Sequence, residues 1–167
     1  MNEIINKVAD SGILQINLED LIPASENALL DIKPWLFEES ILREKDFREH
    51  IKAHNWSFYQ NKNVAITCSA DAIVPTWAFM LVASALQPFA LQVTFGTLEK
   101  LEEELILYAI NEIDINKFLN QRVVIKGCGD KEIPVSAFVA LTTKLKPVVK
   151  SIMYGEPCST VPVYKAK

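Results

Sequence analysis

The chain has 167 residues, 50% of them hydrophobic and 23% charged, with a net charge of −4 and a pI near 5.3. That is the balance of an ordinary globular domain with enough chain to bury a core, and the acidic surplus excludes general attraction to nucleic acid or anionic lipid. The start, Met1-Asn2-Glu3-Ile4-Ile5-Asn6-Lys7, lacks the basic and apolar regions of a secretory signal, and no run reaches the roughly 18 apolar residues of a membrane span. A cytoplasmic protein without nucleic-acid or membrane partners is expected, with homo-oligomerisation left open.

In chain order, Glu3 to Asp10 reads as a short helix closed by Ser11-Gly12, and Ile13 to Leu18 alternates as a strand. Leu29 to Leu36 is a second short strand, interrupted at Pro34 and so suited to a sheet edge. Asp46 to His54 reads as a helix presenting Phe47 and Ile51 to the core, with Trp56 and Tyr59 leading out of it. Residues 1–62 are therefore expected to form a small N-terminal α+β part that packs on the main domain or pairs with an edge of its sheet.

Asn63 to Gly96 is then written a second time, 59 residues later, as Arg122 to Gly155. Val64 matches Val123, Ile66 matches Ile125, and Asp71, Pro75, Ala78 and Phe79 match Asp130, Pro134, Ala137 and Phe138. Leu86, Pro88 and Gly96 match Leu145, Pro147 and Gly155 in the same register. A repeat sets the architecture of both copies at once. Each copy reads as a buried strand, a loop, a helix opening at Pro75 or Pro134 and stopped before Pro88 or Pro147, and a second strand. Thr97 to Ile113 supplies a helix between them, with Glu102, Glu103 and Glu104 in an acidic face. The expected fold is three-layer α/β, with a mostly parallel sheet built from the tandem strand-helix-strand repeat over residues 63–167, in one compact domain overall. Val161-Pro162-Val163-Tyr164 in the tail offers one more edge strand.

Cys68, Cys128 and Cys158 each follow a predicted strand, where the carboxyl edge of a parallel sheet gathers its ligands. An odd number of cysteines in a chain without an export signal argues for free thiols or metal ligands over a disulfide framework. Thiolates suit zinc or an iron–sulfur cluster, and three protein ligands leave one position open. No closely spaced cysteine pair marks a zinc finger. For one shared ion, the three sulfurs are expected roughly 3.5–4 Å apart. Helix starts at Pro75 and Pro134 would favour thiolate at Cys68 or Cys128, the two candidate nucleophiles if the protein is instead a cysteine-dependent enzyme. Cys68 aligns with Gly127, so the two sulfurs are not equivalent by the repeat.

Asp71 and Asp130 read equally as helix caps or as groups supporting the site, together with Ser69, Ser159 and Glu156. His50 and His54 share a helix face and are remote candidates for a fourth ligand. No phosphate loop or nucleophile elbow is present. A third reading is an adaptor or scaffold in which each of these residues serves packing alone.

The phrases Val64-Ala65-Ile66-Thr67-Cys68-Ser69-Ala70-Asp71-Ala72-Ile73-Val74-Pro75, Val123 to Cys128, and Ser151 to Pro162 resemble those of the bacterial family designated domain of unknown function 2480. The likeness extends over Asp31-Ile32-Lys33, Trp35-Leu36-Phe37 and Lys45-Asp46-Phe47-Arg48, and so over the whole chain. The resemblance implies no defined activity. It implies a genetic setting beside sulfur-mobilisation machinery, and so iron–sulfur assembly proteins as partners.

Overall fold

A computed structural model describes residues 12–127, 129–156 and 159–167. The helix expected over Glu3 to Asp10 lies outside these residues. The chain divides into two compact units, one formed by Ala24–Glu102 and the other running up to Pro23 and resuming at Glu103–Lys167. Each unit holds one copy of the repeat.

The first copy is β3 (Asn63–Thr67), α2 (Thr76–Leu86) and β4 (Gln92–Phe95). The second is β5 (Arg122–Lys126), α4 (Val135–Leu145) and β6 (Ser151–Glu156). All three elements of the second copy begin 59 residues after their counterparts in the first, and Pro75 and Pro134 both occupy the position before the first helical residue. Their φ of −60° and −64° is the value the ring imposes, so the chain enters the helix without choosing among conformers. Each helix then buries one stripe, Ala78, Val82 and Leu86 in α2 and Ala137, Leu141 and Leu145 in α4. Pro88 and Pro147 stand two residues beyond the helix ends, where a continued helix would need their missing donors.

The α/β class and the parallel pairing are as expected, but the repeat strands do not join one sheet. They form a three-stranded sheet of order β2-β3-β4 and a four-stranded sheet of order β1-β5-β6-β7. The added strands are β1 (Ile13–Asn17), β2 (Asn27–Asp31) and β7 (Ser159–Lys165). β1 runs parallel to β5, with Ile13 opposite Arg122 and Asn17 opposite Lys126. β2 runs parallel to β3, with Asn27 opposite Asn63 and Asp31 opposite Thr67. The two N-terminal strands thus occupy corresponding edges, one in each sheet. β7 lies antiparallel on β6 and completes the larger sheet, as the Val-Pro-Val-Tyr pattern suggested.

β3 and β5 are buried on both faces, with Val64, Ala65, Val123 and Val124 fully inaccessible. This is why they read as unbroken apolar runs. Asn63 is buried as well, and its amide donates to Ser25 Oγ at 2.9 Å and Asn27 Oδ1 at 3.0 Å. The helix α1 (Glu44–Ala53) buries Phe47 and pairs its outer charges locally, Arg48 with Glu44 and Lys52 with Glu49. The helix α3 (Leu98–Glu112) starts where Thr97 Oγ1 accepts the Lys100 amide. Its Ile106 and Ile110 join the core of the β1-β5-β6-β7 sheet. Pro34 does not interrupt a strand. It lies in a 3-10 turn, Lys33–Trp35, after β2 has ended, because its fixed φ and lost donor suit a first turn better than a ladder.

Candidate functional site

At the carboxyl end of the smaller sheet, β2 stops at Asp31 beside the loop that leaves β3. Asp31 Oδ1 accepts the backbone amides of Lys33 at 2.9 Å and Ser69 at 3.0 Å, and Oδ2 accepts the Ser69 hydroxyl at 2.5 Å. Partial burial pushes its pKa up. The Ser69 hydroxyl, the two amides and the Lys33 charge outweigh that and hold it below the ordinary carboxylate value. A carboxylate so occupied by its own chain is a latch between β2 and the β3 loop, and Ser69, expected near a thiolate site, is spent on it.

The larger sheet has its own fastening. Glu19 Oε1 accepts the Lys131 amide at 3.2 Å from the loop after β5, and Lys126 at the end of β5 pairs with Glu156 at the end of β6 at 2.7 Å. The atoms nearest to where a Cβ on Gly129 would stand belong to the Glu19 carboxylate, so that glycine permits the approach.

The Asp31 latch has a testable pH dependence. Since its folded pKa is depressed, the stabilisation is present above the unfolded value near 3.8 and is lost as pH falls through the folded value. Asp31→Ala is expected to cost about 1 kcal/mol at neutral pH, discounted for solvent at this half-exposed site, and less at acidic pH. Chemical denaturation at two pH values checks this, and an equal loss at both would remove the ionised latch from the account.

Of the three cysteines of the predicted thiol site, Cys68 lies among the described residues. Cys68 is a half-buried free thiol packed against the apolar cluster around Leu30, Ile66 and Val82. Cys128 and Cys158 lie outside the described residues. Their preceding strands, β5 and β6, belong to one sheet and β3 to the other, so the single sheet edge assumed for all three cysteines is divided in two. Among the described residues, no group of three or more His, Cys, Asp and Glu side chains is placed to hold a metal ion.

Asp71 and Asp130 are exposed and cap neither helix, because Pro75 and Pro134 take the N-cap positions without any side-chain cap. Ser159 is exposed at the start of β7. His50 lies in the last turn of α1 and His54 is its extended C-cap residue, so they do not share a helix face as expected, yet both rings pack against Trp35. His50 stacks flat on that indole at 6.0 Å and His54 meets it edge-on at 5.0 Å. His54 also lies edge-on to Trp56, and its Nε2 is 3.3 Å from the Tyr59 hydroxyl. Burial holds its pKa below the ordinary imidazole value, which favours a neutral packed ring.

Each unit also carries an apolar cleft between its repeat helix and the outer part of its sheet. In Ala24–Glu102 the cleft has a volume of about 420 Å³ and is lined by Ile66, Phe79, Val93 and Phe95, with Met80 at its side. In the other unit the volume is about 300 Å³, and Ile125, Phe138, Ile152 and Tyr154 stand in the same places at the repeat spacing. Phe79 meets Phe95 edge-on at 4.8 Å, and Phe138 meets Tyr154 at 5.7 Å. The second cleft differs in having Val163 of β7 in its wall. Phe95 and Tyr154 stand at matching positions of the repeat, one residue before Gly96 and Gly155.

No curated protein and no solved structure matches the chain. Among the described residues, no helix is long and apolar enough to cross a membrane. A family model described as a protein of unknown function, DUF2480, matches residues 2–166, and the chain, reaching that match across nearly all its length, belongs to this family.

Proposed function

We propose that this protein is a cytoplasmic adaptor, an α/β interaction module that engages another polypeptide through the open apolar cleft beside β4. The observation that carries the reading is the apolar rim of that cleft, with Met80 66% and Phe95 62% exposed. Neighbouring large apolar side chains left in water mark interaction surfaces, and a cleft of this size accepts side chains from a partner. Asp31, Ser69 and the Lys126–Glu156 pair are engaged by the chain itself, whereas this cleft has no counterpart of the β7 residue Val163 that lines the second one. A photoreactive benzoyl-phenylalanine placed at Met80 in cells is expected to form a discrete polypeptide adduct that Phe95→Asp in the same cleft abolishes. No more adduct at position 80 than at the exposed α1 position Lys52 would sink the reading.

A second reading, a thiol site for zinc or an iron–sulfur cluster that serves cluster assembly, is favoured by the 2.7 Å Lys126–Glu156 pair. That pair holds together the ends of the two strands that precede Cys128 and Cys158, while Cys68 follows a strand of the other sheet. Anaerobic purification with metal analysis tests it. Metal retained by the unaltered protein and by Cys68→Ala, but lost in Cys128→Ala and Cys158→Ala, supports a site on these two loops; no retained metal removes it.

A further inference from the structure

We infer that the polypeptide that fills the cleft beside β4 is a second copy of this chain, paired antiparallel through β4 about a two-fold axis at Thr94; this deepens, and rests on, the adaptor reading. The internal repeat supplies the template. In the second copy the outer side of β6 carries β7, antiparallel, with Tyr164 opposite Ile152 and packed on the core beneath it. In the first copy β4 is the last strand of its sheet among the described residues.

β4 is self-complementary in the sense this template requires. The Gly96 amide donates to Ile66 O of β3 at 2.9 Å, so strand alternation turns the main-chain N–H and C=O of Val93 and Phe95 away from β3. An antiparallel β4 from a second copy, in register about Thr94, brings Val93 opposite Phe95 twice and lets these two residues exchange both hydrogen bonds. Phe95 of the second copy then lies across from Val93, just as Tyr164 lies across from Ile152, and covers the cleft that Met80 borders. Gln92-Val93-Thr94-Phe95 contains no charge and no proline, the devices that keep edge strands from pairing, whereas β7, the terminal strand of the other sheet, contains Pro162 and Lys165. The same contact that hides Phe95 and Met80 from water thus satisfies the outward main chain of β4.

Sedimentation velocity of the full chain, with reductant present and concentration raised from micromolar to hundreds of micromolar, is expected to show a monomer–dimer equilibrium. Phe95→Asp places an unpaired carboxylate at the centre of the contact and is expected to weaken the dimer at least about a hundredfold. Phe95→Tyr, which writes the residue of the other copy at that position, is expected to keep it. Because a variant can fail by misfolding, amide exchange of the unaltered protein supplies a second reading. The Val93 and Phe95 amides should become protected as concentration rises, while the Ile66 amide, inside the sheet, should not change. A chain that stays monomeric throughout, or a dimer indifferent to Phe95→Asp with no concentration-dependent protection, overturns the inference. If the monomeric chain still gives an adduct with a different polypeptide at Met80, only the identity of the partner is wrong; if it gives none, the adaptor reading goes as well.

Discussion

Phe47→Ala is expected to lower the stability of the protein by about 3–5 kcal/mol. Phe47 is fully buried in the core of the Ala24–Glu102 unit, where it meets Trp35 edge-on at 5.7 Å and Trp77 at 6.1 Å. It is also the one fully buried side chain that α1 contributes. Removing the ring forfeits its transfer free energy and leaves a void walled by rings that cannot collapse into it without leaving their own contacts. Phe58, 59% exposed and lying under the Lys62 ammonium, is the internal comparison, and Phe58→Ala should cost no more than about 1 kcal/mol. Urea denaturation followed by far-ultraviolet circular dichroism gives both values. Similar losses at the two positions would show that the cluster around Phe47 is not the core it is described as.

Gly155→Ala is expected to cost more than about 2 kcal/mol, and more than the matching Gly96→Ala. Both glycines have positive φ, +116° at Gly155 and +140° at Gly96, a region where any Cβ is strained. They differ in what the Cβ meets. At Gly96 it approaches the Lys100 side chain at 3.2 Å, which can swing aside. At Gly155 it stands 2.7 Å from the Ser159 carbonyl oxygen, main chain of the strand that pairs with β6. Relief therefore requires the β6–β7 ladder to open at Gly155–Thr160 and Glu156–Ser159. The loss should appear both in denaturation and as faster exchange of the β7 amides. Equal costs at the two glycines would mean that backbone strain alone, without the cross-strand contact, sets the effect.

The local elements were legible in the chain because their causes are local. Proline restricts its own φ wherever it stands, and an apolar stripe at helical spacing has one face whatever it is packed against. Hence α2, α3 and α4, the strands β3 to β6 and the repeat spacing all appear in the structure within a residue or two of their expected places. Even β7, with a proline inside it, was legible, since a terminal strand tolerates a residue that cannot donate on its outer side.

Where a site residue ends up is not local in the same way, and Cys68 shows why. A loop position after a strand says which end of a sheet a thiol is near, but not which sheet that strand belongs to. Asp31 and Phe95 carried no signal of their own: the first becomes a latch only when Ser69 arrives beside it from 38 residues away, and the second is an exposed cleft residue on a strand that, among the described residues, is the last of its sheet.

By itself, then, the sequence determined the two strand-helix-strand copies, their helix starts at Pro75 and Pro134 and the glycines that close them, all from restrictions each residue places on its own backbone or face. Only the tertiary structure decided that β1 crosses the length of the chain to pair with β5 while β2 takes β3. It thereby divided the repeat between two sheets, with the strand before Cys68 in one and those before Cys128 and Cys158 in the other. Parallel main-chain ladders carry almost no residue identity, so that choice rests on which apolar faces bury together, a property of the folded core rather than of any stretch of sequence.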